Sequence, residues 1–526
     1  MLEIGPVPMN VTGRPRTAIG INGQVPGPIL KWREGDTVTL AVTNRLSEWT
    51  SIHWHGIRTP AAMDGVPGFS FPGIAPGGTF TYRFAVPQNG TYWYHSHSAY
   101  QEQSGLYGPI VVEPRNGYAQ AFDRDYVVLL SDWSDEAPET IVGNLKFQSD
   151  YYNHGQRTVG SFLSDARTNG LGATISDRLE WGRMRMSPSD ILDVSGNTYT
   201  YLLNGLAPAA NWTALFRPGE RVRLRFINGS AMSIFDVRIP GLRLAIVQAD
   251  GNDVEPVTVD EFRFGPGETY DAIVQPTADR AFTIFAQVMD RTGYARGTLA
   301  PRVGMQGEIP GLDPRPLRTM ADMGMGDMSG MNMDHSSMQG MQHGSMPGMQ
   351  GMATAGNDGT PIEGVEVDNV AMMPMDRQSE AGIGLDGNGR QVLRYSDLRA
   401  VKRGVDPRPP SREIVLHLTG NMQRFMWGFD GRKYSEAEPI HLARGERVRF
   451  VLINDTMMEH PIHLHGLWSE LENNADDYRP YKHSILVKPG ERLSYLVTAD
   501  EPGRWAFHCH LLFHMAMGMF REVHVA

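Results

Sequence analysis

Short runs of strand-favouring residues, several of them alternating apolar with polar, recur along the chain between glycine- and proline-bearing turns, and three stretches repeat one layout. The first is Ile21-Asn22-Gly23, then Gly35-Asp36-Thr37-Val38-Thr39-Leu40, then His53-Trp54-His55-Gly56. The second is Leu203-Asn204-Gly205, then Gly219-Glu220-Arg221-Val222-Arg223-Leu224, then Val237-Arg238-Ile239. The third is Phe429-Asp430-Gly431, then Gly445-Glu446-Arg447-Val448-Arg449-Phe450, then His463-Leu464-His465-Gly466. Counting 18 and 20 residues from Gly35, Gly219 and Gly445 reaches His53 and His55, Val237 and Ile239, and His463 and His465. A second landmark, Pro76-Gly77, Pro266-Gly267 and Pro489-Gly490, each time precedes an alternating strand pattern. The same offsets from its glycine reach His95 and His97, Phe285 and Gln287, and His508 and His510.

Matching offsets at two landmarks predict three related β-domains in an all-β chain. The expected boundaries are about 1–120, 121–300 and 410–526, with 301–409 as a linker. The outer copies carry histidines where the middle copy carries none.

With 526 residues there is room for several domains and ample core. A net charge of −11 argues against nucleic acid and for a mild attraction to cations. No run of about 18 apolar residues occurs, so no membrane-spanning helix is expected. The opening Met1-Leu2-Glu3-Ile4-Gly5-Pro6 lacks the charged and apolar regions of a signal peptide. The compartment is therefore cytosolic, or a leader has been removed.

Cys509 is the only cysteine, which rules out an intramolecular disulfide. It sits in His508-Cys509-His510, with His514 five residues on and Met519 ten residues on. A thiolate and two imidazoles with a weak axial thioether form the ligand set of a blue electron-transfer copper. His460 completes it, giving His460, Cys509, His514 and Met519. On a strand Cys509 faces away from His508 and His510, so one tripeptide can serve two metal centres as an electron relay.

His-x-His occurs at 53/55, 95/97, 463/465 and 508/510, where chance predicts on the order of one pair or fewer. Each pair on a strand sets two imidazoles side by side. Eight imidazoles exceed the needs of one ion but can hold three coppers if the first and third copies face each other.

These motifs resemble those of the multicopper oxidases over nearly the whole chain. Carrying segments are Gly23-Gln24-Val25-Pro26-Gly27-Pro28, His53 to Gly56, Trp93-Tyr94-His95-Ser96-His97, His460 to Gly466 and His508 to Met519. The resemblance implies three consecutive cupredoxin-like Greek-key β-barrels and four coppers per chain. It implies His53 and His463 on the type 2 copper. It further implies His55, His95 and His510 on one type 3 copper, and His97, His465 and His508 on the other. The block Asn454 to His460, the stretch Gly420-Asn421-Met422 and a methionine-rich insert make the chain similar to periplasmic copper-resistance oxidases of the CopA/PcoA type. That likeness implies a periplasmic location.

The insert, residues 320–352, contains Met323, Met325, Met328, Met331, Met333, Met338, Met341, Met346, Met349 and Met352 among Gly, Ser, Gln and Asp. It lacks apolar periodicity, which predicts a mobile, disordered loop. Thioethers select Cu(I), so the tract reads as a collector of cuprous ions. Met457 and Met458, with Met422, Met426, Met515 and Met517, are candidates for an inner Cu(I) docking site. The alternative for the tract is a linker without metal chemistry.

The expected activity is oxidation of Cu(I) coupled to four-electron reduction of dioxygen to water, with a monomer sufficient. Electrons pass from the blue site through Cys509, His508 and His510. Asp64 matches the family position of a proton-supplying acid and also reads as a turn residue before Gly65. Met515 stands where many relatives have a glutamate, leaving Glu102 and Glu522 as substitutes. Alternatives are laccase-type oxidation by dioxygen of phenols or diamines, small organic reductants in place of Cu(I), and sequestration of copper by the methionines.

Overall fold

The computed structural model describes residues 1–325, 355–357, 359–360 and 362–526. Strands dominate and form six sheets, two in each of the three repeating stretches. In the first, the sheet order Arg16–Ile21, Leu2–Met9, Thr37–Asn44, Thr79–Ala85 accompanies a second sheet, Leu30–Arg33, Tyr107–Glu113, Gly90–His95, His53–His55. The middle and third stretches each have a six-stranded and a five-stranded sheet whose strand orders correspond position for position. In all three copies the opening strand runs parallel to the strand after the Gly-acid turn: Leu2 beside Val42, Val222 beside Arg124 and Arg412 beside Val448.

The turns repeat as closely as the strands. Asn22 and Gly23, Asn204 and Gly205, and Asp430 and Gly431 all take positive φ, between 50° and 77°. Each turn closes with a bridge, Ile21 to Gln24, Leu203 to Leu206 and Phe429 to Arg432. Two successive left-handed residues suit Asn or Asp followed by Gly, which explains the recurring dipeptide.

Apolar faces of paired strands close on one another. Trp54, Tyr82, Phe84, Tyr92 and Tyr94 fill the first core. A larger core runs from the middle copy into the third and takes in Trp427, Phe450, Trp505, Cys509 and Met519. Burying each such aromatic or aliphatic side chain contributes about 1.5–3 kcal/mol, so the strands that hold the histidines are rigidly seated.

Helices interrupt the all-β pattern at Pro138–Phe147, Val159–Asn169 and Leu171–Met184. Pro138 opens the first, and a reciprocal Thr158–Ser161 box caps the second. The first buries Ile141, Val142 and Leu145, whereas the periodicity of the other two escapes the sequence because Leu163, Leu171, Ile175 and Leu179 lie exposed, not against the core.

The tract expected to be mobile from Met320 onward begins as an ordered turn. Met323 is 1% exposed and joins the larger core, with Met320 and Met325 packed beside it. Arg377 donates to the Asp322 carbonyl at 2.6 Å, and Gly324 lies against Gly490. The expected thioethers Met328, Met331, Met333, Met338, Met341, Met346, Met349 and Met352 lie outside the described residues. After them the chain bridges Glu491 through Met375, Glu261 through Val392 and Val254 through Ala400. Among the described residues no helix is long and apolar enough to cross a membrane.

Candidate metal centre

The first and third copies present their histidine strands to each other. His53 pairs with His95 across one strand pair and His463 with His508 across another. Only His53–His55 lies wholly on a strand; His97, His465 and His510 follow the ends of theirs. All eight imidazoles nevertheless converge.

Their donor atoms fall in overlapping sets, among them His53 with His463 and His465, His53 with His55 and His95, and His97 with His465 and His508. His53 Nε2 stands 3.5 Å from His463 Nε2. His508 Nε2 stands 3.2 Å from His97 Nε2 and 3.0 Å from His465 Nε2. The rings of His55, His95 and His510 lie 4.9–5.6 Å apart. Here His55 Nδ1, His95 Nε2 and both nitrogens of His510 are buried without a protein partner among the described residues.

The protons can be located from the opposite edges of the rings. His53 Nδ1 meets the Asp64 carbonyl at 2.9 Å, and His465 Nδ1 meets Asp64 Oδ2 at 2.9 Å. His95 Nδ1 lies 2.6 Å from Glu102 Oε2, His508 Nδ1 2.9 Å from the Cys509 carbonyl, and His463 Nδ1 against the His483 carbonyl. Oxygen acceptors at these edges fix the N–H there, so the inward nitrogens carry lone pairs. Burial, then the neighbouring imidazoles, pushes the pKa values of His55, His95, His97, His463 and His465 well below the usual histidine value. Crowded, neutral, inward-facing lone pairs are mutually repulsive alone and complementary to cations. Their nitrogen-rich character suits copper.

A further set lies on the far side of Cys509. Its Sγ is 3.5 Å from His460 Nδ1 and 3.9 Å from His514 Nδ1, and the two imidazole nitrogens are 3.2 Å apart. His460 Nε2 contacts Thr456 Oγ1 at 2.7 Å, and His514 Nε2 contacts Asp193 Oδ2 at 2.8 Å. The same edge logic turns both Nδ1 lone pairs toward the sulfur. Burial raises the Cys509 thiol well above its ordinary range, so a thiolate here needs a cation beside it. Met519 is fully buried and tied to the site by Cys509 N–H to its carbonyl, 3.1 Å. Trp427 stacks on His514 at 3.7 Å between centroids, fixing that ring.

Asp64 is 4% exposed and touches both His53 and His465 while also ending a short 3-10 turn. Glu102 lies at the cluster, 3% exposed, its Oε1 without a partner and its pKa raised by burial and then Asp132. Glu522 does not: it pairs with Arg504, which lowers its pKa. Met422, Met457 and Met458 are buried, whereas Met426, Met515 and Met517 are half-buried.

Sequence reasoning missed Asp193, Thr456 and His483. His483 Nδ1 stands 3.1 Å from His55 Nε2; it belongs to no His-x-His pair, so spacing gave no signal. It missed the middle copy's contribution as well. A Cβ at Gly267 would come within 3.0 Å of His55 and 3.1 Å of His510, so the ligand-free copy packs directly on the cluster.

Family descriptions of multicopper oxidases match residues 3–117, 124–302 and 407–526. A copper resistance protein A homolog from Pseudomonas syringae pv. tomato is 56% identical over 540 residues, covering all of this chain and 92% of the relative. Copper resistance protein A from Escherichia coli is 56% identical over 556 residues, with the same coverages. Among solved structures, a laccase from Botrytis aclada superposes with a TM-score of 0.66 at 21% identity, covering 99% of this chain and 86% of that one. The chain belongs to the multicopper oxidase family, copper-dependent oxidoreductases that pass electrons from a reduced substrate to dioxygen.

Proposed function

We propose that the protein oxidises Cu(I) to Cu(II) at the expense of dioxygen, in the service of copper resistance. The observation that carries this reading is the single peptide His508-Cys509-His510, whose thiol joins one donor set while His508 joins another and His510 lies beside His55 and His95. The full-length similarity to copper resistance proteins A supports the substrate.

In this reading His460, Cys509, His514 and Met519 hold the blue copper. His53 and His463 hold the type 2 copper. His55, His95 and His510 hold one type 3 copper, and His97, His465 and His508 the other. Copper bound there supplies one-electron storage and Lewis acidity toward oxygen. The chain's own residues do the rest. The covalent links from Cys509 to His508 and His510 give the electron a short path between the two ends. Half-buried Met426, Met515 and Met517 offer soft sulfur near His514 to arriving cuprous ions, supplied by the tract at 326–352. Met457 and Met458, buried in the core, line the inner side. Asp64 and Glu102 are the carboxyls that would relay protons to the cluster, and Glu102, whose pKa burial raises, stands in for the glutamate replaced by Met515. Four cuprous ions, one dioxygen and four protons balance four cupric ions and two waters.

One chain contributes every donor, so a monomer suffices, and the likeness to periplasmic copper-resistance oxidases supports a periplasmic location. Oxygen uptake by the fully copper-loaded protein on adding Cu(I) tests the activity. Uptake with Cu(I) supports it, and absence of uptake removes it.

A further inference from the structure

Seven of the ligand imidazoles can be compared by what meets the nitrogen facing away from the metal. For His53, His95, His460, His463, His465, His508 and His514 it is an oxygen: a carbonyl, a carboxylate or the Thr456 hydroxyl. His55 differs. Its Nε2 lies 3.1 Å from His483 Nδ1 and 3.1 Å from Ser484 Oγ, while its Nδ1 is buried without a protein partner among the described residues and its ring packs beside those of His95 and His510.

We propose that His483 is a positioning residue of the oxygen-reducing cluster: its Nδ1 accepts the His55 Nε2 proton and so commits His55 to ligation through Nδ1. This rests on the ligand assignment above. A neutral imidazole has one N–H and one lone pair. If His55 carried its proton on Nδ1, the lone pair would point at Ser484 and His483, away from any metal. An imidazole lone pair is a better acceptor than a serine hydroxyl, so His483 decides the tautomer.

The residue is built into place. Its backbone N–H and that of Ser484 donate to Asp250 Oδ2 at 2.9 and 3.1 Å. Asp250 Oδ1 in turn meets the buried Lys482 ammonium at 3.0 Å. Room for the ring comes from Gly56, at φ +81°, where a Cβ would approach the His483 Cδ2 to 2.5 Å. The His483 carbonyl accepts from His463 Nδ1, so this one residue orients two ligands, His55 by its side chain and His463 by its main chain. Its own Nε2 has no protein partner among the described residues and faces a small cavity lined by His53, Arg58 and His463. Asp250 lies in the middle copy, which thereby controls an imidazole of the first through a residue of the third.

The test compares wild type with His483→Ala, His483→Asn, His483→Gln and Ser484→Ala in the full chain loaded with copper. Readouts are copper per chain, the near-ultraviolet absorption of a coupled copper pair, and the electron paramagnetic resonance of the type 2 copper. Loss of such an outer partner typically lowers metal affinity about 10–100-fold. His483→Ala should lose the coupled-pair absorption while keeping the blue colour, which also reports that the fold survives. The Asn amide oxygen can stand where Nδ1 stood, so His483→Asn should restore the absorption and His483→Gln should not. Retention of the absorption in His483→Ala, equal loss in Asn and Ala variants, or loss in Ser484→Ala alone would overturn the assignment. A wild type without the coupled-pair absorption would instead sink the ligand assignment, and this inference with it. If the Ala variant does not fold, the contrast between Asn, Gln and Ser484→Ala decides.

Discussion

Asp193 Oδ2 accepts a 2.8 Å hydrogen bond from His514 Nε2, and both groups are buried. A carboxylate behind a metal-ligating imidazole fixes the ring and raises the basicity of its other nitrogen. The donor is in the third copy and the acceptor in a loop of the middle copy, so the thiol site is completed across their interface.

Asp193→Asn keeps an oxygen acceptor but removes the charge, weakening the bond by about 1 kcal/mol. The less basic imidazole favours cuprous over cupric ion, so the reduction potential of the blue centre should rise. Asp193→Ala leaves a buried N–H without an acceptor and should cost about 1–3 kcal/mol. Redox titration of the blue band checks the first and thermal unfolding the second. An unchanged potential in the Asn variant would deny Asp193 any electronic part.

Asp190 lies three residues before Asp193 and is also buried, with Oδ1 unpartnered. Burial, then the Asp193 charge, pushes its pKa well above the ordinary carboxyl value. A carboxyl whose pKa rises on folding binds a proton as the chain folds. Its stabilising contribution is complete below the unfolded pKa of about 3.9 and is lost as pH rises through the folded value. Asp190→Asn should therefore match wild type near pH 4 and be increasingly more stable toward pH 7, the gap widening by about 1.4 kcal/mol per pH unit until the folded carboxyl ionises. Melting temperatures of both proteins across that range provide the check, and a constant difference would contradict it.

Cys509→Ser removes the thiolate that burial makes so demanding of a cation. The blue colour should vanish, copper should fall from about four to about three per chain, and oxygen uptake should drop to background. The imidazole sets remain, so the type 2 resonance should persist. Loss of all copper would mean the thiol site and the cluster assemble only together.

Deleting residues 326–352 spares the turn Met320–Met325, which is packed against Gly490 and Arg377. Turnover of Cu(I) should fall while turnover of a phenol rises, because the tract gathers one substrate and hinders the other. Parallel oxygen-uptake assays with both reductants measure this. An equal effect on the two would leave the tract without a role in substrate choice.

The strands and the histidine convergence were legible because both obey short counting rules. A period of two sets imidazoles side by side, and fixed offsets from two glycine turns repeat across copies. Counting brought the histidine pairs together, whereas the expected grouping of His53 with His463 rested on the resemblance to the multicopper oxidases. What escaped counting was single residues delivered by tertiary packing. His483, Asp193 and Asp250 have no sequence partner at fixed spacing, and their roles arise where strands from different copies meet. The helices at 159–184 escaped for a related reason: their outward Leu163, Ile175 and Leu179 do not mark a core stripe. Met320–Met325 looked like its glycine-rich continuation, yet Met323 finds a hydrophobic socket.

The turn at Gly267 gives the middle copy its importance. With no side chain there, its backbone presses on His55 and His510 as a floor. The copy that offers no donor of its own thus closes one side of the imidazole cluster. Even one added methyl group at that floor should unsettle oxygen chemistry without touching a single donor atom.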